Sequence, residues 1–315
     1  MSVDELAGDS SLALLGLQRP EAPPTSHSRF PDGGAWRVEI PSVEGPEPMR
    51  AVIEEARELN VPLHRISQGS GVMMLTDDEI TAMVALGHEH SVEVCLFLGP
   101  RGFWDIGAAA ASASRGAGPR ARGIDQLGQC LAEMQRAADL GIRNVLVADE
   151  GVLWAGHQLR SSGVLPADFR FKISVLVGPV NPMSFRVIAG LGGDSINVPS
   201  DLTIGQLGEL RAASPAAMDM YVEAPDDMGG VVRLYDVPEL IRVAAPIYVK
   251  FGLRNAPSIY PAGRHLLETA IATGRERVRR ARLALDIMER SGGAPAPMSG
   301  FDDHSLPSPE RLTLL

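Results

Sequence analysis

The feature that most constrains this chain is an alternation, repeated eight times, between a short apolar or β-branched run and a longer amphipathic stretch. The short runs predict buried strands, and the stretches between them carry apolar residues at helical spacing. Strands that alternate with helices in this way form parallel sheets. Eight such units within 315 residues predict an α/β fold, a single-domain (β/α)8 TIM barrel.

The element boundaries follow from where each pattern starts and stops. The predicted strands cover residues 36–40, 62–67, 92–98, 144–148, 170–177, 195–198, 218–223 and 247–251. The predicted helices cover about 46–59, 77–90, 123–140, 151–162, 182–192, 202–214, 236–244 and 264–291. Two helix starts carry capping signals, Thr76 for the second helix and the pair Ser200 and Asp201 for the sixth.

An open, doubly wound sheet is the alternative arrangement of the same elements. That fold carries a glycine-rich phosphate-binding turn after its first strand. Here residues 39–48 read EIPSVEGPEP, which lacks that turn. The barrel is therefore the preferred prediction.

Composition and charge predict the nature of the terminal segments, the location of the protein and its partners. Residues 1–33 and 292–315 are rich in Pro, Ser and Gly, which predicts flexible terminal segments on either side of a barrel at 34–291. No apolar run reaches the roughly 20 residues that span a bilayer, and the N-terminus lacks a basic signal region. With a net charge of −10, these features predict a cytoplasmic protein that binds a small molecule and does not bind nucleic acid or membrane, and they are compatible with a homo-oligomer.

Lysine is almost absent from the sequence. Of the 29 basic residues, only Lys172 and Lys250 are lysines, a ratio that codon preference alone would explain. An amine, unlike a guanidinium, can lose its proton and attack a carbonyl. Both lysines fall on predicted strands, on faces expected to point into the barrel. They are the leading candidates for imine chemistry, with a buried ion pair as the alternative.

Polar side chains on the strands and just beyond their ends define the candidate site, because such barrels place catalysis at the carboxyl ends of their strands. The candidate catalytic residues are Lys250, Lys172, Glu223, Glu39 and Tyr221; the candidate substrate-binding residues are His64, Gln68, Arg101, Glu150, Asn197 and Arg254. Alternatively these groups pair inside the barrel, as Glu39 and Lys250 would on neighbouring strands. Ionisable groups on nearly every strand favour an active site, since a purely structural interior is filled by branched apolar side chains.

Metal and cofactor signals are weak. Glu39, Asp149, Glu150 and Glu223 offer oxygen ligands for Mg²⁺ or Mn²⁺, but no H-E-x-x-H spacing strengthens the idea, and the one H-x-H, His88 and His90, closes a predicted helix and is expected to face solvent. The two cysteines, Cys95 and Cys130, are too few for a four-cysteine zinc or iron–sulfur site, and both are predicted to be core residues. The long insertion at 99–122, which contains Arg101, suits a lid over an anionic substrate.

Three segments, INVPSDLT at 196–203, MYVEAPDDMGG at 220–230 and YVKFGLRNAP at 248–257, resemble the peptidase family U32, also called collagenase-like. The resemblance spans about residues 35–290 and implies a TIM barrel and an enzyme. Family members carry a Glu-x-Phe-x-His-Gly-Ala-x-Cys signature. This chain matches its glutamate at Glu223 but lacks the His and Cys, so the resemblance does not by itself imply peptidase activity, and no iron–sulfur cluster is expected.

These observations lead to one preferred function and two alternatives. The preferred function is an enzyme that acts on a small anionic carbonyl compound by lysine and carboxylate chemistry, as a lyase, aldolase or isomerase. Lys250 or Lys172 would form the imine or stabilise charge, Glu223 and Glu39 would move protons, and Arg101 or Arg254 would bind the anionic group. The alternatives are a U32-like hydrolase or metal-assisted enzyme, and a non-catalytic barrel that binds a metabolite or a partner chain.

Overall fold

Eight parallel strands close into a barrel in sequential order, from the first beside the second round to the eighth beside the first. This computed structural model describes residues 12–17, 23–100, 118–292, 294, 296–301 and 304–312. Each strand is followed by an α-helix on the outside of the barrel. The predicted single-domain TIM barrel is confirmed.

The elements lie close to their predicted positions. The strands are β1 (Trp36–Pro41), β2 (Arg65–Ser67), β3 (Glu93–Phe97), β4 (Asn144–Val147), β5 (Arg170–Ile173), β6 (Ser195–Asn197), β7 (Ala217–Glu223) and β8 (Ile247–Phe251). The helices are α1 (Pro46–Glu58), α2 (Asp77–His90), α3 (Gly123–Asp139), α4 (Glu150–Ser161), α5 (Pro182–Gly190), α6 (Ile204–Ala213), α7 (Val237–Ala244) and α8 (Leu267–Arg290).

Helix capping confirms one predicted start and corrects another. The hydroxyl of Thr76 accepts a hydrogen bond from the backbone N–H of Glu79, whose carboxylate in turn accepts from the backbone N–H of Thr76. Helix α6 does not begin at Ser200 and Asp201. It begins after Thr203, which forms the same reciprocal pair with Gln206. A capping residue must stand directly before the first helical turn, and Ser200 lies too early.

Strand register brings charged residues of neighbouring strands to the same level inside the barrel. Glu39 of β1 is paired with Arg65 of β2 on one side and with Lys250 of β8 on the other. Arg65 is in turn paired with Glu93 of β3. The alternate residues on β1, Val38 and Ile40, belong to the buried apolar layer.

The amino ends of the strands, which form the bottom of the barrel, are covered by part of the segment predicted as a C-terminal tail. The backbone N–H of Ser299 bonds to the carbonyl of Trp36, and a guanidinium N–H of Arg37 bonds to the carbonyl of Ser305. Leu306 packs against a small apolar cluster of Phe30, Ala217 and Tyr248. The carboxyl ends of the strands form the opposite face, the top of the barrel.

Within the described ranges, no helix combines the length and apolar character that crossing a bilayer would require.

Candidate functional site

Glu39 lies at the centre of a buried ionic network. Its Oε2 accepts a hydrogen bond from Nε of Arg65 at 2.7 Å, and its Oε1 accepts one from Oγ of Ser67 at 2.6 Å. Oε1 also accepts from Nζ of Lys172 and lies 3.6 Å from Nζ of Lys250. Burial opposes ionisation of Glu39, but the positive charges of Arg65, Lys172 and Lys250 hold its pKa well below the usual range. An anchored carboxylate of this kind is a poor proton carrier, so its role is electrostatic.

Arg65 is the member of this network that the sequence analysis missed. Its guanidinium pairs with Asp219, lies 3.7 Å from Glu93, and stands 3.4 Å above the ring centre of Tyr248. Burial works against its charge, but Glu39 and the other neighbouring acidic groups raise its pKa. The sequence prediction selected the His64 and Gln68 face of the second strand, whereas Arg65 and Ser67 are the residues that point inwards. With three residues, β2 is too short for alternation to fix its face.

Lys172 is enclosed within the barrel. Its side chain is 0% exposed, and its Nζ bonds to Glu39 and lies 3.8 Å from Asp219. Burial and the positive charges of Arg65 and Lys250 lower its pKa well below that of an ordinary lysine, although Glu39 acts in the opposite direction. Lys172 therefore holds its ammonium charge weakly, and its side chain has no exposed surface among the described residues.

Lys250 lies nearer the top of the barrel, as the fourth of the five residues of β8. Its Nζ donates a hydrogen bond to Oδ1 of Asn197, the last residue of β6, and stands 4.0 Å from the ring centre of Tyr221 on β7. The Nδ2 group of Asn197 is itself fixed by the carbonyl of Ile173, at 2.5 Å. The structure thus brings together five of the predicted residues: Lys250, Asn197, Tyr221, Glu39 and Lys172.

A second buried cluster, centred on Glu93, lies closer to the bottom of the barrel. Glu93 accepts hydrogen bonds from Asn144 at 2.9 Å, from Arg170 at 3.0 Å and from the hydroxyl of Tyr248 at 3.3 Å. Burial opposes ionisation of Glu93, but Arg65 and Arg170 together lower its pKa. This cluster lies towards the bottom of the barrel, where polar groups are expected to contribute to stability and not to catalysis.

His64 does not lie with the substrate-binding candidates. It precedes β2 at the bottom of the barrel, where its Nδ1 accepts the backbone N–H of Val38 and its Nε2 faces the carbonyl of Ser299 at 3.2 Å. Its ring stacks on Phe301 with 4.7 Å between centres. Burial lowers the pKa of His64 to about 4, so the ring is neutral at pH 7 with its proton on Nε2. The expectation that His64 binds substrate is corrected on this ground.

The four candidate metal-ligand carboxylates are dispersed. Asp149 caps helix α4 by accepting the backbone N–H of Val152, and Glu150 pairs with Arg120. Glu223, at the end of β7, faces away from Glu39: it accepts the backbone N–H of Arg254 and lies 3.3 Å from Nε of Arg280. No group of three potential metal-binding side chains occurs among the residues that the structure describes. The predicted set Glu39, Asp149, Glu150 and Glu223 therefore does not form one site.

The remaining binding candidates are scattered around the top of the barrel. Gln68 closes its own turn by bonding through both side-chain ends to the backbone of Gly71. Arg254 is exposed on the rim and pairs with Asp226 at 3.1 Å. Arg101 falls outside the described residues, as does most of the insertion predicted to be a lid.

Both cysteines are buried, as predicted. Burial raises the pKa of the Cys95 and Cys130 thiols to about 12, so neither is a thiolate nucleophile at neutral pH.

A cavity of about 380 Å³ opens at the top of the barrel between the loops that follow β1, β2 and β8. We call it the rim cavity and define it by Glu44, Glu47, Ser70, Arg264 and Leu267 among its lining residues. The sequence analysis did not single out Glu44. Its carboxylate accepts the backbone N–H groups of Gly69 at 2.7 Å and Ser70 at 3.1 Å.

Comparisons with known proteins find likeness at the level of three-dimensional structure. No family model matches the sequence, and no curated protein matches it. The chain is similar to the YdjI aldolase from Escherichia coli K12, with 13% identity, a TM-score of 0.46 and coverage of 80% of this chain and 90% of that one.

Two further solved structures illustrate the range of the likeness. A putative lyase/mutase from Burkholderia cenocepacia J2315 matches with 14% identity, a TM-score of 0.45 and coverage of 88% of this chain and 89% of that one. The U32 peptidase Mk0906 matches with 17% identity, a TM-score of 0.38 and coverage of 63% of this chain and 73% of that one. Membership of the U32 family stays a prediction.

Proposed function

We propose that this protein is an enzyme that acts on a small anionic carbonyl compound through an imine on Lys250, as a lyase, aldolase or isomerase. The proposal is supported above all by one observation. Two lysine amines converge on the single carboxylate of Glu39 inside the barrel, and one of them, Lys250, stands near the top among Asn197 and Tyr221.

The position of each lysine assigns its role. Lys250 is 2% exposed and lies close to the carboxyl ends of the strands, where a substrate entering a TIM barrel arrives. Lys172 also bonds to Glu39, and its side chain is 0% exposed. Lys250 is therefore the nucleophile, and Lys172 is a positioning residue that sets the charge around Glu39.

The reaction balances with solvent as the source and acceptor of protons. The unprotonated nitrogen of Lys250 attacks the carbonyl carbon and a C–N bond forms; the carbonyl oxygen leaves as water with one proton from the amine and one from solvent, which gives a protonated imine. The electron pair of a neighbouring C–C or C–H bond then moves towards the imine nitrogen to form an enamine, while the other fragment leaves as a carbonyl compound or the hydrogen leaves as a proton to solvent. The enamine carbon takes a proton from solvent, and water hydrolyses the imine, which releases the product and restores the amine.

The nitrogen of Lys250 lies beside three electron-rich groups. The carboxylate of Glu39, the amide oxygen of Asn197 and the ring face of Tyr221 all present negative potential to Nζ. The same three groups would stabilise a protonated imine, which is the electron sink of the reaction. Arg254, exposed on the rim, is the described residue that we assign to the anionic end of the substrate.

Borohydride trapping tests this proposal. The protein is incubated separately with pyruvate, glyoxylate and dihydroxyacetone phosphate, reduced with borohydride, digested and examined by peptide mass spectrometry. We expect a reduced adduct on Lys250 with at least one of these probes. Lys250→Arg keeps the charge but cannot form an imine, so it should abolish the adduct.

Two results would overturn the proposal. An adduct on Lys172 instead of Lys250 would reverse the roles of the two amines. The absence of an adduct on either lysine with all three probes would leave the lysines as structural ion pairs, which is the prediction for a non-catalytic barrel.

A further inference from the structure

We propose that the rim cavity is a binding site for a small organic cation, a molecule that carries a protonated primary amine on a short hydrocarbon chain. This proposal does not depend on the chemistry of Lys250. It rests on the charge, the hydrogen-bond donors and the apolar surface that the cavity presents.

Glu44 is the polar group around which the site is built. Each of its carboxylate oxygens accepts one backbone N–H, from Gly69 and Ser70. No cationic side chain of the described residues lies within 4.0 Å of it, in contrast to Glu39, which has three. Burial accordingly raises the pKa of Glu44. A carboxylate with spare acceptor capacity and no cationic side chain paired with it is matched by an ammonium, which brings three donors and a positive charge; the buried Arg277 attracts Glu44 only from beyond 4.0 Å.

The lining favours a cation over an anion. Glu44, Glu47 and Glu79 outnumber Arg264, the one basic residue among those that the structure places around the cavity. Glu79 is partly engaged by Thr76, but Glu47 is exposed in the first turn of helix α1.

The start of helix α1 does not supply an anion site either. A helix N-terminus attracts anions through its free N–H groups. Here Pro46 and Pro48 lack N–H groups, and the N–H of Met49 is bonded to the carbonyl of Gly45. One N–H, that of Glu47, is left in the first turn, too little to compete with the surrounding carboxylates.

The rest of the cavity wall accounts for the hydrocarbon part of the ligand. Leu75, Leu267 and Ala270 line it together with Met74. A volume of about 380 Å³ is at the small end of the range for metabolite pockets, which begins at roughly 300 Å³. A short alkylamine satisfies both the carboxylate and this apolar wall.

The test is a ligand-observed NMR titration of the full chain with n-butylammonium and with pentanoate, a probe of similar length and opposite charge. We expect n-butylammonium to bind and pentanoate not to bind. Glu44→Gln should weaken n-butylammonium binding by about tenfold or more, because the counter-charge is lost. The matched control is Glu58→Gln, at the far, exposed end of helix α1, which should leave binding unchanged.

A second variant is needed because Glu44→Gln also changes the acceptor of the Gly69 and Ser70 N–H groups, which could alter that turn. Ala270→Leu adds bulk to the cavity wall without changing charge, and it should also abolish binding. Equal or stronger binding of pentanoate would overturn the proposal. So would n-butylammonium binding that survives Ala270→Leu, or that survives Glu44→Gln in a folded protein.

Discussion

Glu39 is the carboxylate that three cations share in the interior of this barrel, and Asp219 also pairs with Arg65 and lies 3.8 Å from Lys172. Glu39 bonds to Arg65 and Lys172 and lies 3.6 Å from Lys250. Buried ion pairs add little net stability when complete, but removal of one partner leaves the others desolvated and unpaired. The network therefore makes the fold sensitive to the loss of Glu39 in particular.

Glu39→Gln should lower the free energy of unfolding by about 3 to 5 kcal/mol, because it leaves buried cations without their shared counter-charge. Urea denaturation at pH 7 measures the change. The exposed substitution Glu268→Gln on helix α8 is the control and should cost less than about 0.5 kcal/mol.

A double variant separates this explanation from simple loss of packing. Combining Glu39→Gln with Lys172→Met removes one of the uncompensated cations, so the pair should be more stable than the sum of the two single losses predicts. Strict additivity, or a cost of Glu39→Gln below about 1 kcal/mol, would contradict the electrostatic account.

At the scale of elements, local sequence signals determined where most helices begin, and helix α6 shows the precision of those signals. Three polar residues precede it, and Thr203 alone has a side chain that bonds to the first turn. Ser200 is buried, and Asp201 is exposed. The position of the cap, rather than the presence of a capping residue type nearby, fixes the helix start.

Thr203→Ala should destabilise the protein by about 1 kcal/mol, because the N–H of Gln206 loses its partner. Asp201→Ala is the matched control, two residues earlier, and should change stability by less than about 0.5 kcal/mol. Thermal unfolding of the two variants beside the parent measures both effects. A larger loss from Asp201→Ala than from Thr203→Ala would contradict the assigned cap.

The sequence predicted the helices and strands more completely than it predicted the residues of the candidate site. Strand β5 ends at Ile173 rather than 177, because the chain turns at Ser174, whose carbonyl accepts the N–H of Val177. The two lysines were found because their rarity made them conspicuous. Arg65 was missed because a strand of three residues gives no reliable alternation of inward and outward side chains. Glu44 was missed because the residues that enclose it, at 69–70 and 262–270, are distant from it in sequence.

At the scale of the whole molecule, the described terminal segments cover the amino ends of the strands. The segment before β1 and the segment after α8 meet at the bottom, where the carboxylate of Asp32 accepts hydrogen bonds from the hydroxyl of Ser299 and from the N–H of Gly300. His64 lies in this junction, between the N–H of Val38 and the carbonyl of Ser299. The attachment of the C-terminal segment to the barrel thus includes a neutral, buried histidine.

This histidine should make the molecule acid-labile. Its pKa is about 4 in the folded protein and about 6.5 in an unfolded chain. Between these pH values the unfolded state binds a proton that the folded state does not bind. The free energy of unfolding should therefore fall as the pH drops from 6.5 to 4, and His64 should contribute about 3 kcal/mol of that fall.

His64→Asn provides the measurement, because asparagine stays neutral and can accept the N–H of Val38. Urea denaturation between pH 7 and pH 4 should show a smaller loss of stability in this variant than in the parent. The exposed substitution His88→Asn serves as the control and should keep the parent's pH dependence. Parallel pH profiles for the parent and His64→Asn would contradict the assignment.

The burial of both lysines has a practical consequence for chemical labelling. On most proteins an amine-reactive reagent decorates the surface, but this chain has only Lys172 and Lys250, both inside the barrel. Apart from the N-terminal amine, acylation of Lys172 would record an opening of the barrel, and acylation of Lys250 would record access from the top. The rate at which an acylating reagent modifies each lysine thus measures how often, and from which end of the barrel, solvent reaches that side chain.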